Sequence, residues 1–226
     1  MWDRLKGRWG LSMLVDDHIL FDTFCSEALL RKRMESYGVS VDQLRSIVIS
    51  HEHWDHMGGL WSLLKEKDGL NVYLPAHADE RLKKCVIERG GILKDALGTQ
   101  TLGRGIYVTE DFMGAFEGKP IAEQAIVIET ARGLVLLVGC AHPGPGVFIQ
   151  RTRQTFDKPI FGLIGGLHLM KVSSSETMHQ ALSLKEEGIK LLAPLHCTGK
   201  LQTKIFKDVF REDFVDFREG DELMLV

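Results

Sequence analysis

The sequence lacks four features, and each absence excludes a class of protein. No apolar run reaches the ~20 residues that a membrane-spanning helix needs, and the N-terminal MWDRLKGRWGLSMLV has charges scattered where a signal peptide has a continuous apolar core. The four cysteines form no Cys-x-x-Cys pair, which indicates reduced thiols and not a disulfide framework. A net charge of -3 gives no sign of a nucleic-acid-binding surface. We therefore expect a cytoplasmic protein that does not enter a membrane.

The composition that is present is that of an ordinary globular protein. Of the 226 residues, 44% are hydrophobic and 26% are charged, which suits one well-buried domain or at most two small ones. No low-complexity segment or Ser/Pro-rich linker divides the chain, so we expect a single domain over residues 1–226. Both halves show a strand pair followed by strand–helix units. This repeated order predicts an α/β (α+β) fold, a four-layer αββα sandwich of two face-to-face sheets with helices outside.

Turn signals and apolar periodicity place the individual elements. The expected strands are at 11–15, 19–22, 45–50, 71–75, 125–130, 134–140, 160–166 and 189–197, and the expected helices are at 26–37, 58–67, 76–89, 146–156, 175–187 and 199–210. The sequence predicts that residues 90–120 are irregular except for a strand at IYVTE. It also predicts two closing strands, DFVDF and ELMLV.

The stretch SHEHWDHMGG (50–59) carries most of the chemistry. It follows a β-branched run that we interpret as a buried strand, so these residues leave the edge of a sheet as a loop. His51 and His53 alternate along the loop and can face the same way. Asp55 and His56 follow as the chain turns, and the two glycines allow a helix to begin close by.

These side chains are suited to binding metal ions. Imidazole nitrogen and carboxylate oxygen are ligands for zinc, iron or manganese. Since the segment is too short to wrap all four groups around one ion, we assign His51 and His53 to one ion and Asp55 and His56 to another. Two ions roughly 3.5–4 Å apart can generate a hydroxide nucleophile. The expected cofactors are therefore two divalent ions, with zinc favoured and iron or manganese as alternatives.

The stretch SHEHWDHMGG resembles the signature of the metallo-β-lactamase superfamily of metal-dependent hydrolases. The later phrases VGCAHPG (138–144), IGGLHL (164–169) and LHCTG (195–199) are similar to a subgroup, the dihydropterin-ribofuranosyl-aminobenzene-phosphate synthase-like proteins. That subgroup is linked to methanopterin biosynthesis in archaea. The resemblance covers nearly the whole chain and implies an αββα sandwich with a metal centre at one edge.

The resemblance also implies roles for individual residues. The implied ligands of the first ion are His51, His53 and His142, and those of the second ion are Asp55, His56 and His196. Asp22 resembles an early aspartate that supports the metal-binding histidines. Asp55 and His168 are the expected catalytic residues, with His168 as a proton donor. For His168, a place in a metal shell and a buried structural role remain alternatives.

Three departures from the superfamily pattern qualify these expectations. Many members have a strand that ends in Gly-Asp, whose carboxylate bridges the metals, whereas LVLLVGC ends in Gly139-Cys140. Cys140 either takes that bridging position or leaves it vacant, with His142 compensating. Phe24 stands where a glycine is common. The strand expected before GLSMLV is mostly missing, so we expect an exposed sheet edge, a covering partner or a lost start of the chain.

The expected function is that of a hydrolase or transferase in which a metal-activated water attacks a phosphorylated or ester-type small molecule. The subgroup resemblance implies a pterin or ribosyl-phosphate substrate. Lys171 and Lys200 closely follow the motifs and are candidates to contact its phosphate, although a solvated role is the favoured alternative for both. A phosphodiesterase or nuclease of the same superfamily is one alternative, although the acidic balance disfavours long nucleic acids. A non-catalytic metal sensor is another. A homo-oligomer is compatible with the sequence.

Overall fold

The first half of the chain forms a sheet whose strands follow chain order. A computed structural model describes residues 9–95 and 97–225. The strands are β1 (Met13–Val15), β2 (Ile19–Phe21), β3 (Ser46–Val48), β4 (Asn71–Leu74) and β5 (Ile92–Asp95), and only the β1–β2 pair is antiparallel. Asp16 and Asp17 turn this hairpin with φ of 49° and 59°. Such positive values at both central positions match the twist of a tight hairpin.

The second half forms a hairpin and a mixed sheet. Its strands are β6 (Gln100–Gly103), β7 (Ile106–Val108), β8 (Phe112–Phe116), β9 (Lys119–Glu123), β10 (Ile126–Thr130), β11 (Gly133–Val138), β12 (Ile160–Gly166) and β13 (Leu191–Leu195). The sheet has the order β13-β12-β11-β10-β7-β6, and β11, β12 and β13 are parallel. The strands β8 and β9 pair only with each other among the described residues.

Helices cover the outer faces of both sheets. They are α1 (Glu27–Ser36), α2 (Trp54–Met57), α3 (Leu60–Glu66), α4 (Glu80–Glu88), α5 (Pro145–Phe156), α6 (Ser174–Glu186) and α7 (Lys200–Phe210). Local sequence fixes several of their starts: Pro145 opens α5, and Ser173 and Glu176 form a reciprocal capping box at α6. No helix in the described part of the chain is long and apolar enough to cross a membrane.

Three apolar clusters define the four layers. The central cluster joins side chains of both sheets, such as Phe21 and Val48 of the first sheet with Ile126 and Leu137 of the second. A second cluster packs the first sheet against α1, α3 and α4, and a third packs the other sheet against α5, α6 and α7. Because alternate residues of a strand face opposite sides, each sheet buries both faces. The predicted αββα sandwich is confirmed.

Two parts of the predicted secondary structure are wrong. The stretch 90–120 is not irregular outside IYVTE, because β5, β6 and β8 lie within it. Neither DFVDF nor the described part of ELMLV forms a strand; only an isolated bridge joins Leu192 and Phe214. Paired neighbours decide whether a short segment becomes a strand, and a single sequence does not reveal them. The expectation that the strand before GLSMLV is mostly missing concerns residues 1–8, which lie outside the described residues.

The topology brings polar loops from both sheets to one edge. The parallel strands β2 and β3 of the first sheet and β11, β12 and β13 of the second all end there. Gln124 links the sheets at this edge, since its side-chain amide donates to the carbonyls of Ile49 and Tyr73 at 2.8 and 3.0 Å. Loops that leave the carboxyl ends of parallel strands are the usual position for sites in such sheets.

Candidate metal centre

Asp22 lies beneath the site and organises its first half. Ser50 donates its backbone N–H to Oδ1 of Asp22 at 2.7 Å and its hydroxyl to Oδ2 at 2.8 Å. Nδ1 of His56 lies 2.6 Å from the same Oδ2. The three side chains are completely buried, so water does not screen the electrostatic interactions among them. The predicted supporting role of Asp22 agrees with these contacts.

The network also sets which ring nitrogens face the site. Because Oδ2 of Asp22 can only accept, Nδ1 of His56 carries a hydrogen, so Nε2 is the nitrogen that an ion would bind in place of a proton. The hydroxyl of Ser50 donates to Asp22 and therefore accepts from Nδ1 of His51, 2.9 Å away. Nε2 of His51 is thereby left without a hydrogen. These tautomers are assigned from the hydrogen-bond network, and they are the forms that bind a metal through Nε2.

His51, His53 and His142 form the first group of candidate ligands. One nitrogen from each ring lies within 4.8 Å of the others. Nε2 of His51 and Nδ1 of His53 are 3.0 Å apart, close to the ~3.4 Å between two nitrogens bound tetrahedrally at about 2.1 Å. Both ring nitrogens of His142 are buried without a hydrogen-bond partner among the described residues. Buried polar atoms are rarely left unpaired, so a cation fits this position.

Asp55, His56 and His196 form the second group. Their ligand atoms also lie within 4.8 Å of one another. Oδ2 of Asp55 is 3.1 Å from Nε2 of His196 and 3.9 Å from Nε2 of His56. Nε2 of His196 is buried, and its contact with Asp55 lacks hydrogen-bond geometry, so it has no hydrogen-bond partner in the described part of the chain. The structure thus brings all six predicted ligands together in two adjoining groups.

The electrostatics favour the metal-binding protonation states at several positions. Burial and the neighbouring imidazoles hold the pKa of His51 well below its usual range, and they lower the pKa of His142 to about 3. Burial raises the pKa of Asp55, but His196 and His56 outweigh it and bring the pKa to about 2. The rings of His51 and His142 are therefore neutral and the carboxylate of Asp55 is charged near neutral pH, as ligands must be. His56 differs, because Asp22 outweighs burial and raises its pKa to about 9, so it must release a proton when it binds an ion.

Glu123 is a buried carboxylate that the sequence reasoning missed. Its Oε1 accepts the backbone N–H groups of Cys140 and Ala141 at 2.8 Å each, and its Oε2 accepts that of His142 at 2.7 Å. Burial raises the pKa of Glu123 to about 7 even though these three bonds lower it. Ala141 has a φ of 53°, so the carboxylate holds a sharp turn that aims His142. No motif signals this role, because the partners are backbone groups.

Cys140 occupies the end of β11, where the superfamily pattern has a carboxylate. Its Sγ lies 3.3 Å from Nε2 of His56 and is buried. The preceding Gly139 is pressed against the first sheet, because a Cβ there would come within 2.1 Å of Oγ of Ser50. The sulfur atom of Cys140 therefore lies beside the second ligand group, at the position where the carboxylate of other members is expected.

His168 lies next to the first group and is the most exposed of these histidines. Its ring centroid is 4.4 Å from that of His142, and its backbone, with a φ of 51°, donates to Sγ of Cys197 at 3.2 Å. The neighbouring Cys197 raises the pKa of His168. Lys171 and Lys200 are exposed on the segments that follow β12 and β13.

Two aromatic rings, which sequence reasoning also missed, flank the centre. Phe116, at the tip of the β8–β9 hairpin, lies 4.6 Å from His53 and 5.4 Å from His168 between ring centroids. Trp9 lies 4.7 Å from His196 on the same measure. The hairpin is held close, because a Cβ on Gly114 would come within 2.5 Å of the backbone of His142.

The chain belongs to the metallo-beta-lactamase superfamily, whose sequence profile matches residues 10–194. The superfamily typically binds divalent metals and is largely hydrolytic. The chain is similar to the 7,8-dihydropterin-6-methyl-4-(beta-D-ribofuranosyl)-aminobenzene-5'-phosphate synthase of Methanocaldococcus jannaschii, with 25% identity over 93% of this chain and 88% of the relative. This similarity and the profile match confirm the predicted family resemblance.

Solved structures agree with the fold. Tm1679, described as a metal-dependent hydrolase of the beta-lactamase superfamily, is 27% identical with a TM-score of 0.78, and the alignment covers 95% of this chain and 91% of that one. The metallo-beta-lactamase fold protein YhfI from Bacillus subtilis is 20% identical with a TM-score of 0.61, over 88% and 84% of the two chains. The second likeness concerns the fold alone.

Proposed function

We propose that this protein is a dinuclear metal-dependent hydrolase or transferase that acts on a small phosphorylated or ester-type molecule. The observation that carries the proposal is the pair of adjoining ligand groups at one sheet edge, with buried ring nitrogens that lack hydrogen-bond partners among the described residues. The first ion is assigned to His51, His53 and His142. The second is assigned to Asp55, His56 and His196.

The donor set decides which ions suit the site. Nitrogen and carboxylate oxygen donors fit zinc best, and iron or manganese are alternatives. Such ions would supply a water molecule activated at neutral pH and would stabilise negative charge that develops on the substrate. Asp55 takes two roles in the proposal: it is a ligand of the second ion, and its charge keeps the adjacent rings oriented through contacts of 3.1 and 3.9 Å.

His168 is the proposed proton donor. It is exposed and lies beside His142 without belonging to either three-ligand group. Its raised pKa lets the imidazolium persist closer to neutral pH, so that it can protonate a leaving oxygen. A left-handed backbone at a non-glycine residue is a cost that sites tolerate when it positions a functional group.

The proposed substrate class follows from the surroundings of the centre. The synthase from M. jannaschii is named for a product that contains a pterin, an aminobenzene ring and a ribosyl 5'-phosphate. In this chain Phe116 and Trp9 offer flat apolar faces on two sides of the ligand groups. Lys171 and Lys200 are exposed on the segments that follow β12 and β13, and the proposal takes them as the candidate partners of a phosphate. We therefore propose a phosphorylated substrate related to a pterin or a ribosyl phosphate.

A non-catalytic metal sensor is the second candidate. The observation that favours it is the sulfur of Cys140 where many superfamily hydrolases carry a bridging carboxylate. A sensor would bind metal tightly without turnover of any activated ester.

Elemental analysis of protein purified without added metal tests the two-ion assignment. We expect about two ions per chain, with one lost in His51→Ala and one in His196→Ala. The matched control is His179→Ala, since His179 is exposed on α6. A single ion that survives His196→Ala would contradict the assignment. Two ions without activity on any phosphoester or carboxylic ester would support the sensor.

A further inference from the structure

A second cluster of metal-binding side chains adjoins the two groups described above. Cys140 follows β11, His168 follows β12 and Cys197 follows β13, so three neighbouring parallel strands each contribute one residue. The two sulfur atoms and one imidazole nitrogen all lie within 4.8 Å of one another. Neither Cys197 nor His168 belongs to the six ligands assigned above.

The fold makes specific room for the sulfur of Cys197. Gly166 ends β12, and a Cβ at that position would come within 2.6 Å of this Sγ and 2.4 Å of the carbonyl oxygen of Gly139. The backbone N–H of His168 donates to the same sulfur at 3.2 Å. Cys197 is therefore fixed facing Cys140 and His168.

The loop that carries His168 is fixed in the same way. Thr198 accepts the N–H of Leu167 at 3.1 Å through its hydroxyl, and the N–H of Met170 donates to the carbonyl of Cys197 at 3.2 Å. Bonds on both sides of His168 thus hold it against the turn 196–198. These hydrogen bonds hold the backbone of His168 beside that of Cys197.

The spacing suits a bound ion. Two sulfurs and a nitrogen bound tetrahedrally at about 2.3 and 2.1 Å would be separated by ~3.6–3.8 Å. The observed separations of less than 4.8 Å need side-chain movements of only about 1 Å. Both cysteines are free thiols and buried, so sulfur donors are available and shielded from water.

We propose that Cys140, His168 and Cys197 form a third metal site that selects thiophilic ions, such as cadmium or copper(I). Sulfur donors prefer soft ions, whereas the nitrogen and oxygen donors of the other two groups accept harder ones. Cys140 stands at the boundary, 3.3 Å from Nε2 of His56. This sulfur atom therefore lies between the third site and the second ligand group. The proposal does not rest on the proposed enzymatic activity; an ion bound to His168 would occupy the nitrogen that the proposed proton donor needs, so the two roles of His168 exclude each other while this site is filled.

Titration with cadmium tests the site directly. Zinc-loaded protein, kept reduced with a phosphine, is titrated with Cd²⁺ while the near-ultraviolet thiolate-to-cadmium band is recorded. The native protein should develop a band that saturates at about one Cd²⁺ per chain. Cys197→Ser should lower the band by about half, and Cys140→Ser with Cys197→Ser should abolish it, since each sulfur contributes one bond. Cys85→Ser is the matched control, because Cys85 lies on α4.

Each alternative outcome has a separate meaning. Absence of the band in the native protein would overturn the site. A band unchanged by Cys197→Ser would also overturn it, because Cys140 alone would then be a ligand of the second ion. If Cys197→Ser does not fold, His168→Gln keeps both sulfurs and should weaken Cd²⁺ binding about tenfold; unchanged affinity would contradict the proposal. His51→Ala should lose zinc but keep the band, which separates this result from a failure of the two-ion assignment.

Discussion

The two halves of the candidate metal centre are built differently. The first half takes His51, His53, Asp55 and His56 from one continuous stretch, and Asp22 fixes it through side-chain hydrogen bonds. The second half takes His142 and His196 from the ends of two separate strands, β11 and β13. There Glu123 bonds to backbone N–H groups and touches no ligand ring through a hydrogen bond.

The difference shows two ways to orient a metal ligand. A carboxylate bonded to the ring itself sets both the tautomer and the charge of the imidazole, as Asp22 does for His56. A carboxylate bonded to the backbone sets only where the ring is placed, as Glu123 does for His142. We therefore expect variants of Asp22 to alter ion binding chemically and variants of Glu123 to alter it geometrically.

The largest effect is expected from Asp22→Asn. The amide can still accept from the N–H of Ser50, and asparagine tolerates the positive φ of 60°, but the charge that pairs with His56 is lost. Because the pair is completely buried, we expect a loss of about 3–5 kcal/mol in the free energy of unfolding. Metal affinity should fall about 10–100-fold, and through Ser50 and His51 both ions should be affected.

Urea denaturation and elemental analysis check this prediction. Asp16→Asn is the control, since the side chain of Asp16 is 62% exposed in the hairpin turn. Equal stability and equal metal content in the two variants would show that Asp22 does not support the site.

A smaller effect is expected from Glu123→Gln. The amide oxygen can accept one or two of the three N–H groups, while its NH₂ group must face the remaining donor. We expect a loss of about 1–3 kcal/mol for this unpaired buried group. Only His142 is misplaced, so the first ion should bind more weakly and the second should stay. A calorimetric titration with zinc would measure the affinity for each ion separately. If the variant bound both ions equally more weakly, Glu123 and Asp22 would not differ in how they support the site.

The same contrast explains what the sequence could predict. The spacing within SHEHWDHMGG indicates the ligands grouped there, whereas the ligand roles of His142 and His196 are implied only by the family resemblance. The supporting contacts of Glu123 and the positions of Phe116 and Trp9 depend on how the hairpin and the sheets pack. Short strands such as β5 and β6 are likewise defined by their partners, whereas DFVDF has strand-like composition without a paired neighbour beyond the single bridge at Phe214.

The smallest effect is a difference in pH dependence between the halves in the metal-free protein. Burial lowers the pKa of His56, but the charge of Asp22 and its hydrogen bond outweigh burial and raise the pKa to about 9. Since the unfolded value is about 6.5, this histidine stabilises the fold fully below pH 6.5, and the contribution is lost as the pH rises to 9. The pKa of His142 is lowered to about 3, so this histidine destabilises the fold at low pH. That penalty falls to zero as the pH rises from 3 to 6.5, and the pH dependence therefore has the opposite sign.

Each contribution can be isolated as a difference between the native protein and one variant, measured by urea denaturation with a chelator present. The stability advantage over His56→Gln should shrink between pH 6.5 and 9, because the folded protein holds a proton there that the unfolded chain releases. The advantage over His142→Gln should grow between pH 5 and 6.5. Two curves with the same slope would mean that burial alone sets both pKa values, and that Asp22 does not distinguish one half of the centre from the other.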